Sequence, residues 1–183
     1  MSKSDFEYLK KIMKEFFDPE KIRESLQIIR NEKKITGWEK WLQTEFRIHL
    51  ANLKKEGVLH DWQPEKKYYS DRRSSNKAFI RADFAVQPAG KASDRLILIE
   101  FKTRRSVDLC IKEMTMDIGK LDTIRTSEAK FSSSWAVGVH YSTEKKSGES
   151  DKDIAAKINE RYSGVQTHTE VIGNTGFQYT VFG

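Results

Sequence analysis

From Phe6 onward the apolar residues fall three and four apart, at Phe6, Leu9, Met13, Phe16 and Phe17, which predicts a helix capped by Ser4 or Asp5. Asp18-Pro19-Glu20 interrupts it, and Ile22, Leu26 and Ile29 mark a second helix. Beyond Gly37 a longer helix is predicted from Trp38 to about Glu56. Its stripe is read as Trp38, Trp41, Leu42, His49 and Leu53, with Lys40, Arg47 and Lys54 opposite. From Gln63 the period changes. Lys66-Lys67-Tyr68-Tyr69 suits a first strand, and a polar turn from Asp71 to Lys77 leads into two apolar runs, Phe79–Gln87 and Arg95–Lys102. The turn residues Pro88 to Asp94 between those runs make them a hairpin. Ser106 then caps a helix expected to reach about Glu128, with Cys110, Met114, Ile118, Leu121 and Arg125 on one side. Ser134–Tyr141 reads as a buried strand, Thr143 to Lys152 as a charged loop and Asp153–Tyr162 as a helix. Val165–Ile172 and Phe177–Phe182 close the chain as a hairpin around Gly173-Asn174-Thr175-Gly176.

This order predicts an α/β fold with a mixed central sheet flanked by helices. Residues 1–36 form an N-terminal helical segment packed on the core, and residues 37–183 form the main domain. A chain of 183 residues is long enough for one such core. With 33% charged residues and a mean hydropathy of −0.69, no run approaches the ~20 apolar residues of a membrane span. The N-terminus has no apolar signal region, so a cytoplasmic location and no membrane partner are expected. A single cysteine, Cys110, excludes an internal disulfide or a Cys-based zinc site and is expected to be a packing residue. A net charge of +6 favours a polyanionic partner.

Candidate chemistry sits on the central hairpin. If its turn is symmetric about Lys91 and Ala92, opposed residues have numbers that sum to 183, so Asp83 faces Glu100, Phe84 faces Ile99 and Val86 faces Ile97. Alternation then puts Asp83, Glu100 and Lys102 on one face, joined by Arg81, with Ala82, Phe84, Val86, Ile97, Ile99 and Phe101 on the other. Adjacent carboxylates repel unless a cation lies between them, and Mg²⁺ accepts one or two carboxylates plus water and phosphate oxygens. A nearby lysine can orient or help deprotonate water. The simpler reading is a cross-strand salt bridge on a solvated face, which the buried character of Leu96-Ile97-Leu98-Ile99-Glu100-Phe101-Lys102 argues against. Glu45 falls within the stripe of the long helix, where an unpaired carboxylate is costly, so it needs a cation, a donor or a cleft. Glu39 lies towards the margin of that stripe, and His49 reads as a packed residue.

Asp83, a strand-turn-strand interval, and then Glu100-Phe101-Lys102 resembles the D…(D/E)xK signature of the PD-(D/E)XK, or restriction-endonuclease-like, nuclease superfamily. Ala82 stands where that signature often has proline. The resemblance covers roughly residues 38–141 and implies an αβββαβ core, here with N-terminal helices and a C-terminal hairpin. It implies a metal-dependent nuclease, most simply a DNA endonuclease, using Mg²⁺ with Mn²⁺ as a substitute. Asp83 and Glu100 would hold the metal, with the Phe101 carbonyl as a further ligand. Lys102 would act on the attacking water, and Glu45 would complete the acidic cluster. Lys66, Lys67, Arg72, Arg73, Arg81, Arg104 and Arg105 become candidates for nucleic-acid contact, DNA ahead of RNA, and a homodimer is compatible with this reading. A non-catalytic nucleic-acid- or protein-binding module, or an enzyme on small phosphorylated substrates, are the alternatives.

Overall fold

The computed structural model describes residues 3–71, 78–90, 95–124, 131–142 and 151–183. Their elements run α1 (Lys3–Phe17), α2 (Glu20–Asn31), α3 (Trp38–Lys55), β1 (Leu59–Tyr69), β2 (Phe79–Pro88), β3 (Leu96–Thr103), α4 (Val107–Leu121), β4 (Phe131–Tyr141), α5 (Asp151–Arg161), β5 (Thr167–Val171) and β6 (Phe177–Phe182). The six strands form one mixed sheet in the order β1-β2-β3-β4-β6-β5. Neighbours are antiparallel except for β3 and β4, which are parallel and joined through α4, as a parallel pair requires. The expected α/β class with helices flanking a mixed sheet is therefore what the chain adopts.

Two apolar layers sandwich the sheet. Helices α1, α2 and α3 cover one face, packing on Phe84, Val86, Ile97, Ile99, Phe101, Val137 and Tyr179. Phe6 stacks on Trp135, Phe17 stacks on Tyr179, and Phe46 meets Phe16, Phe84 and Phe101 edge-on or tilted, so the N-terminal helices belong to this core. Helices α4 and α5 cover the other face through Cys110, Ile111, Met114, Ile118, Ile154 and Ile158, against Ala85, Leu98 and Ala136. Gly138 on β4 lets α4 approach closely: a Cβ there would collide with Met114 Sδ and come within 2.8 Å of Cys110 Sγ. Cys110 is fully buried as a packing residue, and burial pushes its thiol pKa up.

Several boundaries differ from the sequence expectation. β1 begins at Leu59, seven residues before Lys66, because its first half gains ladder partners along β2 despite a polar sequence. Helix α4 ends at Leu121 and not near Glu128, and Arg125 lies outside the described residues. The apolar face of α3 is Trp38, Leu42, Phe46, Leu50 and Leu53, with Trp41 only partly buried. That face is centred on Phe46, which the sequence stripe omitted, and the rotation decides which glutamate faces the sheet.

Candidate active site

The hairpin register is the expected one: Phe84 pairs with Ile99, Ala85 with Leu98 and Val86 with Ile97. Regular pairing stops at Phe84, and the Asp83 side chain takes over, its Oδ2 accepting the Phe101 backbone N–H at 2.8 Å. Ala82 departs from the expected alternation. It packs on the α4 side with Ile80 and Leu98, whereas Phe84 packs on the α3 side. The change of side falls at Asp83, opposite Glu65, whose φ of 49° is left-handed. Arg81 is accordingly not aimed at the cluster but lies 3.7 Å from Glu65, which also meets Arg47 of α3 at 3.4 Å.

Asp83 and Glu100 do come together. Burial is the first cause raising both pKa values. Glu100 is pushed up to about 9, helped by the charges of Asp83 and Asp117, and it hydrogen-bonds to Asp83. The pair is a hydrogen-bonded carboxyl dyad held above the ordinary carboxylate range, able to share one proton. Lys102 extends from β3 towards α4, its Nζ 2.9 Å from Asp117 Oδ2. Burial alone would lower the Lys102 pKa, but the Asp117 hydrogen bond and the charges of Asp117, Glu39 and Asp83 outweigh it, and the pKa is raised. Asp117 is 7% exposed and also pairs with Lys120, one turn along α4. Lys102 and Asp117 line a cleft of about 370 Å³ with Leu109, Lys112, Glu113, Met116 and Lys120.

Glu45 does not join this group. Its carboxylate is clasped by Lys21 of α2, with Nζ at 3.1 Å from Oε1 and 3.2 Å from Oε2. Glu39 takes its place near the cluster: Oε2 accepts the Thr103 N–H at 2.9 Å, and its charge helps raise the Asp83 pKa. The reason is rotation. Glu39 lies seven residues before Phe46, so it points within about 20° of Phe46 and towards the sheet, whereas Glu45, one residue before it, is turned by about 100°. Asp117 joins the site from α4. It follows Cys110 by seven residues and so falls within the buried stripe of α4, an acid out of place on an apolar face.

The candidate nucleic-acid contacts separate into three groups. Arg104 is held by Glu113, with Nε to Oε1 at 3.0 Å, and by Glu39 at 3.9 Å. Arg105 donates to the backbone carbonyls of Lys33 at 3.0 Å and Ile35 at 3.2 Å, tying the α2–α3 connection to the end of β3. Both are committed within the fold. Lys66 lies over the Tyr68 ring on β1, and Lys67 is exposed opposite Arg81. Arg72 and Arg73 lie outside the described residues. His49 is the packed residue expected, half-buried against Phe16 and Phe46, and burial lowers its pKa.

Among the described residues no group of three or more His, Cys, Asp or Glu side chains is arranged to hold a metal ion. A cation would rest on the Asp83–Glu100 pair alone, completed by backbone, water or substrate oxygens. Two apposed, largely buried carboxyls neutralised by a shared proton fit a hard divalent cation of that low demand, since a cation could replace the proton. Compared with known proteins, the chain matches no family model, no curated protein and no solved structure.

Proposed function

We propose that the chain is a metal-dependent phosphodiesterase acting on nucleic acid, an endonuclease with DNA as its substrate. The observation that carries this reading is the Asp83–Glu100 dyad, withdrawn from water with a raised pKa at each member, beside a lysine held in place by Asp117. Perturbed, mutually coupled carboxyls beside a lysine that lines a cleft are characteristic of reactive sites.

Asp83 and Glu100 would hold a Mg²⁺ or Mn²⁺ ion, with the Phe101 carbonyl nearby, and that ion would supply stabilisation of the negative charge developing on the phosphate. Lys102 stays protonated, so it donates hydrogen bonds to the attacking water or to a phosphate oxygen and does not itself remove a proton. Asp117 fixes the direction of that ammonium. Glu39 binds the Thr103 N–H and adds negative charge next to the dyad, taking the part first assigned to Glu45. Lys112 and Lys120, on the cleft wall, suit phosphates on either side of the reacting one.

Plasmid and linear DNA incubated with Mg²⁺ test the proposal. Glu100→Gln and Asp83→Asn should lower cleavage by roughly 100- to 1,000-fold or more while the circular-dichroism spectrum is retained. Wild-type rates in both variants would remove the dyad from the mechanism. Metal-independent DNA binding with no cleavage in the wild type would favour the non-catalytic binding module.

A further inference from the structure

A second cavity, of about 570 Å³, lies between α2, the end of β4 and the β5–β6 turn, on the opposite face of the sheet from the Lys102 cleft. Arg30 dominates it. Its guanidinium carbon sits 3.7 Å from the centre of the Tyr141 ring, and its Nε lies against Gly176. A Cβ at Gly176 would approach that Nε to 3.2 Å, and φ there is 73°, so a glycine is what allows the guanidinium to be clamped between ring and turn. Arg30 is therefore fixed, yet its buried Nη1 has no hydrogen-bond partner among the described residues, and neither does the buried Ser142 Oγ. A guanidinium N–H kept from water without an acceptor is costly. The remaining polar lining is Gln27, Asn31, Asn174 and Thr175, and no Asp or Glu among the described residues lines the cavity.

A cavity whose described lining holds a rigid cation, spare hydroxyl and amide donors and no carboxylate is suited to a group that only accepts hydrogen bonds. A tetrahedral phosphate can take the guanidinium N–H and the Ser142 hydroxyl together. Free phosphate and a phosphodiester backbone share this chemistry, and the function proposed above favours the backbone. Ala136 is the register partner of Glu100, and Tyr141 lies five residues further along β4. At strand rise Tyr141 is therefore roughly 16 Å along the sheet from the position beside Glu100, and the cavity lies past that end of β4, apart from the dyad. We infer that this cavity is a phosphate subsite gripping the nucleic-acid backbone away from the bond addressed by Asp83 and Glu100. The inference rests on the function proposed above.

The test uses the full chain in Ca²⁺ with two fluorescent duplexes, one of 20 base pairs and one of 6, and inorganic phosphate as a separate probe. Arg30→Ala and Asn174→Asp should each weaken binding of the longer duplex by about tenfold. They should also reduce the slope of log affinity against log salt by about one, and change the short duplex little. Asn174 is exposed, so its variant should fold even if Arg30→Ala does not, and Arg30→Lys should recover part of the affinity. Unchanged affinity for the longer duplex in Arg30→Ala and Asn174→Asp would overturn the subsite. Phosphate binding lost in Arg30→Ala without any change in duplex affinity would overturn it too, by assigning the cavity to a free anion. Repeating the measurements in Glu100→Gln separates the two readings. If cleavage proves independent of Glu100 while Arg30 still governs duplex binding, the catalytic assignment fails and the subsite stands.

Discussion

Glu39 and Glu45 have the same side chain on the same helix, and their neighbours give them different work. Glu45 meets Lys21, whose side chain is 72% exposed, and an ion pair so open to water is worth little. Glu39 accepts a backbone N–H at Thr103, which is itself buried. Glu45→Ala should therefore change stability by less than about 1 kcal/mol and leave DNA cleavage at the wild-type rate. Glu39→Ala should cost about 1–3 kcal/mol, because it strands that N–H. Glu39→Gln keeps an acceptor and should retain stability while weakening the Mg²⁺ dependence of cleavage. Urea unfolding and a Mg²⁺ titration of the cleavage rate check both sides. A Glu45→Ala enzyme that loses activity while Glu39→Gln keeps it would return the role to Glu45.

At the scale of elements, the site depends on how closely α4 lies on β3 and β4. Lys102 on β3 and Gly138 on β4 are paired in register, and α4 carries both Met114, which fills the space over Gly138, and Asp117, which holds Lys102. Gly138→Ala would place a methyl inside the van der Waals radius of the Met114 sulfur. Even if the methionine swings aside, the methyl would still lie 2.8 Å from Cys110 Sγ. The expected outcome is a destabilisation of about 1–3 kcal/mol by overpacking. Cleavage should fall further than the lost stability explains, because α4 carries Asp117 with it. Pairing Gly138→Ala with Met114→Ala makes room for the methyl and should restore part of the cleavage rate. No recovery in the double variant would dissociate the helix position from the site.

Across the whole molecule, the Glu100 proton links folding to pH. In the unfolded chain this carboxyl titrates near its ordinary 4.5, and in the folded protein near 9. Between those values the folded state holds a proton that the unfolded state has released. The contribution is therefore fully present below about 4.5 and is lost as pH rises towards about 9. Metal-free protein should become less stable from pH 6 to pH 8.5 in urea unfolding. Glu100→Gln should flatten that slope and be more stable than wild type at pH 8.5 by about 1–3 kcal/mol, one or two pKa units of interaction. An equal slope in both proteins would show that Glu100 is ionised in the fold. A cation that displaces this proton should raise the wild-type melting temperature more at pH 8.5 than at pH 6 and leave Glu100→Gln nearly unchanged.

The sequence by itself determined what depends on near neighbours in the chain. Helix and strand periods are local, so the element order was legible from Phe6 to Phe182. Counting outward from Lys91 and Ala92 leads to the register that pairs Phe84 with Ile99 and brings Asp83 to Glu100. Tertiary structure decided what depends on docking. Phe46 meeting Phe84 and Phe101 rotates α3, which turns Glu39 to the sheet and Glu45 to Lys21. Gly138 brings α4 close enough for Asp117 to reach Lys102. The left-handed turn of Glu65 moves Ala82 to the other face and leaves Arg81 outside the cluster. Arg104 and Arg105, exposed cations in a sequence reading, are bound inside the fold by Glu113 and by the carbonyls before α3. A side chain's residue type and spacing fix what it can bond. Which of its possible partners it meets is set only when layers distant in sequence pack together.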